Sequence, residues 1–299
     1  MMNLSQLESF LAVAESGSFT EAAFSRGLTQ SAVSYAVQAL EQELGAPLIL
    51  RKRKGIELTP FGERVLIHVQ AMFAHVESIT QEAKVEQGQR GGRLRIGSIR
   101  SFVSPRILAA FISNFRRLFP DVDLAIFEGT MREVATWIET GTIDIGFVMM
   151  PADRLFATAI SRDELMVVVS RDHPFTQATG IAPSLLAGED LVMESTECVL
   201  HVLRHAGVSS PDHRLRIRYQ ASNTETIFAM VREGVGSAIL PRTMIPEEGE
   251  GVVAIPFDPP RHVRLGVAVR SEAAASWAAR QFMTSAVSWT WIRSQPVIA

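Results

Sequence analysis

Residues 18–45 read SFTEAAFSRGLTQSAVSYAVQALEQELG and predict two short helices joined by a tight turn. Ser18 followed by Glu21 fits a capping box, in which each side chain satisfies a backbone N–H group that the start of a helix leaves free. Gly27 ends the first helix, because glycine readily adopts the positive φ that helix ends often require. Thr29 can cap the second helix.

The second helix, predicted over Thr29–Gly45, has an apolar face and a polar face. The apolar face is predicted to carry Val33, Ala36, Leu40 and Leu44. The polar face carries hydrogen-bonding groups with little net charge, which suit base edges in the major groove of DNA. Its members are Gln30, Ser31, Ser34, Tyr35 and Gln38. These residues alone fit either a helix-turn-helix with a recognition helix or an ordinary helical hairpin.

The bulk composition indicates a folded protein of two or three domains. The chain has 299 residues, of which 47% are hydrophobic and 20% charged, so it can bury real cores. A net charge of −3 argues against a generic polyanion binder. The single cysteine, Cys198, excludes an internal disulfide and fits a reducing cytosol. No secretory signal or membrane-spanning run is seen, so a cytoplasmic location is expected.

A β-hairpin, or wing, is predicted next to the two helices. Leu48–Leu50 and Ile56–Leu58 are short apolar runs around the turn-like RKRKG (51–55). Such a basic run is more often a solvated loop, but beside a recognition helix it can meet DNA phosphates. Residues 1–59 contain five basic and six acidic residues, a net charge of −1. The positive charge is therefore local, and a dimer that doubles the basic patch would help DNA binding.

A first helix over Asn3–Glu15 and a long helix over residues 60–87 flank this region in the sequence. Thr59 can cap the long helix and Pro60 suits its first position. Apolar residues recur along it at spacings of three and four, which is a heptad seam that favours a partner helix. They are Val65, Val69, Met72, Val76, Ile79 and Ala83. The alternative is that the seam packs against its own domain.

From residue 91 onwards, strands alternate with helices, which predicts parallel strands with right-handed crossovers. The strands are predicted at 94–99, 122–127, 143–149, 165–170, 191–193, 214–219, 237–240 and 263–269. The helices are predicted at 105–119, 131–140, 198–206, 224–233 and 274–293. Two α/β halves usually enclose a ligand cleft. The expected domains are 1–59, 60–90 and 91–299, the last with one lobe at 91–160 plus 268–299 and another at 161–267.

The whole chain resembles the LysR-type transcriptional regulators of bacteria. No single motif is decisive, but the series has the family's order and spacing. The matching stretches are AVAESGSFTEAA (12–23), LTQSAVSYAVQALEQELGAPL (28–48), Arg51, LTPFG (58–62), LRIGSIRS (94–101), FPDVDLAIFEGT (119–130), GTIDIGF (141–147) and VREGVGSAILP (231–241). One departure is Ile49 and Leu50 where the family usually has Phe, which leaves the wing apolar.

The resemblance implies an α/β multidomain protein that binds promoter DNA. Its parts would be a winged helix-turn-helix, a dimerising linker helix, and a two-lobed effector domain similar to type 2 periplasmic binding proteins. It also implies a homotetramer, and contact with RNA polymerase is a further possibility. By position, the polar face named above would read bases, and Thr29, Arg51 and Arg53 would contact phosphates. No enzymatic activity and no cofactor are expected.

The resemblance also places an effector site at the ends of the strands. The candidates after the first α/β strand are Ser98, Arg100, Ser101 and Phe102, and a helix N-terminus there would favour an anion. Thr130 and Met149 follow or end the next two strands. Across the cleft, the candidates are Ser195, Thr196, Glu197 and Asn223. Each of these could instead be a helix cap or a turn residue. The expected effector is a small anionic or polar metabolite.

Cys198, His201 and His205 fall at i, i+3 and i+7 of one predicted helix, near Glu194 and Glu197. Cysteine, histidine and carboxylate ligands suit zinc, and a lone cysteine permits redox sensing. A buried thiol beside two surface histidines explains the same residues, and no metal is assigned. A metal- or redox-responsive regulator is kept as the alternative function.

Three other classes of protein fit less well. An enzyme is disfavoured because the sequence has no G-x-S-x-G, no phosphate-binding glycine loop and no H-E-x-x-H. A solute-binding transport protein would need a signal sequence and would not begin with a helix-turn-helix. An architectural DNA binder would not need about 200 residues of two-lobed α/β structure.

Overall fold

The computed structural model describes residues 1–52, 55–88, 91–100, 102–194, 200, 203–208, 215–221, 223–245, 251–273 and 275–289. Its contacts divide the chain into two compact units. The first, the N-terminal unit, comprises Met1–Thr80 with Thr140–Thr142. The second, the C-terminal unit, comprises Gln81–Glu139 with Ile143–Ala299.

Three helices form the N-terminal unit's core: α1 (Leu4–Ser16), α2 (Phe19–Arg26) and α3 (Gln30–Leu44). Each begins at a polar cap, and each ends at a glycine with positive φ. The capping side chains satisfy N–H groups that the first turn cannot pair internally. The predicted helix-turn-helix is therefore confirmed.

The apolar face of α3 differs from the prediction at one position. Val33 and Leu40 are buried, and Leu44 is half-buried but packs against the core. Ala36 is half-buried, and Val37 is buried in its place. Buried positions at i, i+4 and i+7 follow the helical period of 3.6 residues, and Val37 has more apolar surface to bury than Ala36. The core of the unit forms around Phe10, Leu40 and their neighbours.

The predicted wing is also present. Strands β1 (Ile49–Lys52) and β2 (Gly55–Leu58) pair antiparallel, with Ile49 opposite Leu58. Helix α4 (Pro60–Glu86) follows, one residue shorter than predicted. The Thr59 hydroxyl accepts a hydrogen bond from the Gly62 N–H at 2.8 Å, so Thr59 caps α4 as expected.

Three parallel strands begin the C-terminal unit, in the spatial order β4, β3, β5. They are β3 (Gly92–Ile99), β4 (Val122–Gly129) and β5 (Ile145–Met150). Helices α5 (Pro105–Leu118) and α6 (Met131–Thr140) connect them. Together these five elements form what we call the first lobe. The observed strands and helices agree with the predicted ones to within about two residues.

The rest of the unit corrects the predicted parallel arrangement. The 15-residue strand β6 (Phe156–Ser170) and β11 (His262–Val269) pair antiparallel, and β11 is also antiparallel to β5. The sheet is therefore mixed. Alternation of strands and helices predicts how neighbouring strands are connected. It does not predict the direction of β11, because β11 pairs with β5 and β6, which lie far earlier in the chain.

The second lobe is built on the other half of β6. Strands β9 (Ala238–Pro241) and β10 (Val252–Pro256) flank it antiparallel, and β10 was not predicted. Strands β7 (Asp190–Met193) and β8 (Arg216–Gln220) form a parallel pair, which a bridge between Leu191 and Ser237 joins to β9. Helix α7 (Thr224–Arg232) packs on this lobe.

Helix α8 (Trp277–Ser288) closes the core of the first lobe. Its Phe282 ring lies 4.6 Å from Phe111 and 5.9 Å from Phe147, centroid to centroid, with edge-to-face geometry. Such aromatic pairs add about 0.5–1.5 kcal/mol beyond the burial of their area. Within the described parts of the chain, no helix combines the length and apolarity needed to cross a membrane.

Candidate functional site

The polar face of α3 lies open to solvent. Gln30, Ser31, Tyr35 and Gln38 are exposed, and Ser34 is half-buried. Tyr35 is 75% exposed. These side chains therefore form one accessible strip along the N-terminal half of the helix.

Thr29 lies at the start of this strip and has a structural role. Its hydroxyl accepts a hydrogen bond from the Ala32 N–H at 3.2 Å and lies 3.0 Å from the Ser31 hydroxyl. The N-terminus of α3 carries the positive end of the helix dipole, which favours a phosphate group nearby. Thr29 can thus cap the helix and still lie beside a DNA backbone.

Two polar side chains connect neighbouring elements of the N-terminal unit. The Arg26 guanidinium on α2 donates to the Ser5 carbonyl oxygen at 2.9 Å and pairs with Glu8, so it ties α2 to α1. The Glu41 carboxylate on α3 accepts hydrogen bonds from the Leu48 and Ile49 N–H groups, at 2.7 and 3.0 Å. The Glu41 hydrogen bonds therefore hold the wing against α3, and the Arg26 contacts hold α2 against α1.

The wing presents part of the predicted basic cluster. Arg51 lies in β1 opposite Ile56. Lys52 forms an exposed ion pair with Glu57, so its charge is partly neutralised. Arg53 and Lys54 lie outside the described residues.

A cleft of about 820 Å³ lies between the two lobes of the C-terminal unit. The first lobe supplies Arg100, at the end of β3, and Pro105, at the start of α5. The second lobe supplies the rest of the wall, namely Thr224, Glu225, Phe228, Arg232, Met244 and Gly251. Of the described residues predicted to bind an effector, Arg100 is the one that lines this cleft.

The sequence analysis did not predict the other lining residues, although the predicted starts of two helices were a signal for them. Pro105 and Thr224 are the first residues of α5 and α7, and both helices were predicted. The N–H groups of a first helical turn lack internal partners and attract anions. Two helix starts facing one cavity could be inferred only after the lobes were folded together.

Arg100 is surrounded by acceptors. Its guanidinium donates to the Glu128 carbonyl oxygen at 3.1 Å and lies 3.9 Å from the Glu133 carboxylate. Its Nε atom lies 3.7 Å from Oε1 of Glu194, which directly follows β7. A backbone hydrogen bond from Thr130 lowers the pKa of Glu133, and Arg100 lowers it slightly further. Both carboxylates facing Arg100 thus compensate its charge.

The remaining effector candidates have varied surroundings. Thr130 and Glu133 cap α6 reciprocally, and the Asn223 amide oxygen caps α7 through the Thr226 N–H at 2.7 Å. Phe102 and Met149 are 5% exposed and pack in the hydrophobic core. Ser98 is buried, and its hydroxyl has no hydrogen-bond partner among the described residues.

Ser101, Ser195, Thr196, Glu197, Cys198 and His201 lie outside the described residues. In the part of the chain that is described, no three His, Cys, Asp or Glu side chains gather as metal ligands would.

Two family models match the chain. The model "Bacterial regulatory helix-turn-helix protein, lysR family" covers residues 4–63, and "LysR substrate binding domain" covers residues 87–290. Among solved structures, a full-length OxyR variant from Pseudomonas aeruginosa has the same fold. It superimposes with a TM-score of 0.70 at 23% identity, over 96% of this chain and 98% of that one.

Two relatives extend this likeness along most of the sequence. The uncharacterized regulator YvbU of Bacillus subtilis is 33% identical, covering 95% of this chain and 98% of its own. The probable regulator LrrA of Synechococcus elongatus is 38% identical over 81% of each chain. Since the second family model alone covers more than half of the residues, this chain belongs to the LysR family of bacterial transcriptional regulators.

Proposed function

We propose that this regulator reads promoter DNA with the exposed strip of α3 and that a small anionic or polar molecule in the cleft controls this binding. The DNA-binding role is supported by a solvent-exposed set of neutral hydrogen-bond donors and acceptors on α3. They are Gln30, Ser31, Tyr35 and Gln38. Side chains of this kind form bidentate or single hydrogen bonds with base edges in the major groove. Half-buried Ser34 lies in the same strip.

Phosphate contacts would come from the start of α3 and from the wing, through Thr29, Arg51 and Arg53. Removing a phosphate contact weakens binding to every DNA sequence and reduces its dependence on salt. Arg51→Gln should therefore lower affinity for promoter and unrelated DNA alike. A change confined to the promoter would instead identify Arg51 as a base-reading residue.

A second copy of the chain is part of the proposal. The front half of the α4 seam, Val65, Val69 and Met72, packs in the core of its own unit. Beyond it, Val76 is 43% and Ile79 70% exposed, and Ala83 is exposed as well. Burying these apolar side chains against a second α4 helix would form a dimer with two recognition helices. Two such dimers would make the tetramer that the resemblance implies.

The chemistry of the cleft supports a polar or anionic effector. Arg100 provides a guanidinium, which matches carboxylate and phosphate groups geometrically. The first residues of α5 and α7 also line the cleft, and the positive ends of the two helix dipoles favour an anion there. A bound molecule that touches both lobes would stabilise one arrangement of them over others.

The DNA part is tested with Ser34→Arg and Gln38→Ala. The probe is the intergenic DNA beside this gene, with unrelated DNA as competitor, because such regulators often lie next to their targets. Loss of a base contact costs about 1–3 kcal/mol, so affinity for the promoter should fall about tenfold. Gln42→Ala is the matched control, since Gln42 is exposed farther along α3. Unchanged promoter affinity in both variants, with the fold intact by circular dichroism, would refute the assignment.

A further inference from the structure

Arg100, which lines the cleft, forms an incomplete ion pair with Glu194. Nε of Arg100 and Oε1 of Glu194 lie 3.7 Å apart, too far for a good hydrogen bond. Both atoms are buried and have no hydrogen-bond partner among the described residues. The Glu194 side chain is only 5% exposed. The Arg100 guanidinium is 36% exposed and donates to the Glu128 carbonyl oxygen, so only its buried Nε atom lacks an acceptor among the described residues. A buried carboxylate oxygen without a hydrogen bond is costly, so Glu194 is poised to accept a donor.

The charges around the cleft do not favour a simple anion. Arg100 and Arg232 supply two positive charges, whereas Glu133, Glu194 and Glu225 supply three negative ones. A ligand with only a carboxylate would take Arg100 and leave the buried Glu194 without the cation that it pairs with among the described residues. A ligand with only an amine would satisfy Glu194 and leave Arg100 with the half-exposed Glu133 carboxylate, 3.9 Å away, as its remaining anion. The charge pattern therefore matches a ligand that carries both groups.

The wall of the cleft also has an apolar portion. Phe228 and Met244 line it, and Pro105 lies on the opposite lobe. Thr224 begins α7 on the same wall, where the positive end of the helix dipole favours a carboxylate. A ligand that matches these features has a carboxylate, an ammonium group and an apolar side chain.

We infer that the effector of this regulator is an α-amino acid with an apolar side chain. Its carboxylate binds the Arg100 guanidinium and its ammonium group binds the Glu194 carboxylate. Its side chain packs against Phe228 and Met244. Two hydrogen-bonded ion pairs, one between Arg100 and the ligand carboxylate and one between Glu194 and the ligand ammonium group, then replace the Arg100–Glu194 pair, which has no hydrogen bond. This inference rests on the proposed function, because it names the ligand of the same cleft.

The test uses the full-length protein and thermal unfolding. L-leucine, L-isoleucine, L-valine, L-methionine and L-phenylalanine are each compared with the matching deaminated acid and decarboxylated amine. At a hundredfold excess over its Kd, at least one amino acid should raise Tm by about 5 °C, while its two analogues shift it far less. Arg100→Gln and Glu194→Gln should each abolish the shift. Arg116→Gln and Glu139→Gln, exposed positions on α5 and α6, should keep it.

Two results would overturn the inference. One is that none of the five amino acids shifts Tm. The other is that a deaminated acid stabilises the protein as strongly as its amino acid, which would show that Glu194 does not bind an ammonium group. Promoter binding that still depends on Ser34 and Gln38 would show that the proposed DNA-binding role stands in either case.

Discussion

The carbonyl oxygen of Leu48 lies so close to Gly62 that a Cβ atom at position 62 would be 2.1 Å from it. The same oxygen accepts a hydrogen bond from the Thr59 N–H at 2.9 Å, and this bond holds it in place. Leu48 begins the wing and Gly62 lies in the first turn of α4. Their contact therefore fixes the base of the wing on the long helix.

Gly62→Ala should destabilise the N-terminal unit. A methyl group there forces the two backbones apart, and overpacking of this kind costs about 1–3 kcal/mol. That cost should outweigh the gain of about 1 kcal/mol in helix propensity. Denaturant unfolding measures the effect. Gly188→Ala is the control, because no atom lies within 4 Å of the added Cβ. Equal stability of both variants would contradict the prediction.

Ile79→Glu should weaken self-association. The side chain is 70% exposed in the single chain, so a charge there is harmless until a partner helix covers it. Burying an unpaired carboxylate in a helical seam should raise the dimer Kd by more than tenfold. Sedimentation velocity over a concentration series provides the measurement. Lys84→Glu, exposed and outside the seam, should associate normally. A dimer that survives Ile79→Glu would mean that α4 is not the interface.

Asp163→Asn should change how stability depends on pH. Burial raises the pKa of Asp163, and hydrogen bonds from Thr243 offset this only in part. A carboxyl group whose pKa is higher in the folded state favours folding when protonated, so stability falls as pH rises through its unfolded and then its folded pKa. The asparagine keeps an acceptor for Thr243 and carries no charge.

Unfolding of Asp163→Asn measured between pH 3 and pH 7 should therefore lack that decline, and the variant should be at least as stable as the wild type at pH 7. Asp153→Asn, at an exposed position, should follow the wild-type curve. A variant that is less stable than the wild type at pH 7 would show that the ionised Asp163 is stabilising.

Asp144→Ala should destabilise the first lobe strongly. The Asp144 carboxylate pairs with the Arg95 guanidinium through contacts of 2.6 and 3.1 Å and also accepts the Arg95 N–H at 2.8 Å. Both side chains are nearly buried, at 13% and 12% exposed. Leaving the arginine unpaired should cost about 3–5 kcal/mol. The double variant Arg95→Leu/Asp144→Ala should lose less than the sum of the single variants. Additive losses would show that the pair is not coupled.

Much of the local structure could be predicted, because the decisive interactions span a few residues. Asn3, Ser18 and Thr29 cap helices within three positions of themselves, and Gly27 ends a helix by its own φ. Spacing alone also predicted α4 and most strands. The spacing of apolar residues along α4 predicts one continuous surface. In the structure its front half belongs to the core and its rear half is exposed, a division that depends on where the other helices lie.

The sequence by itself determined the helix-turn-helix, the wing, the long helix and the alternation of strands and helices, because caps, turns and periodic apolar residues act over short distances. Only the tertiary structure decided that β11 runs antiparallel to β5 and β6 and that Arg100 meets Glu194. Those two residues come from different lobes, far apart in the chain. Their meeting depends on how the whole mixed sheet is paired, which no local pattern records.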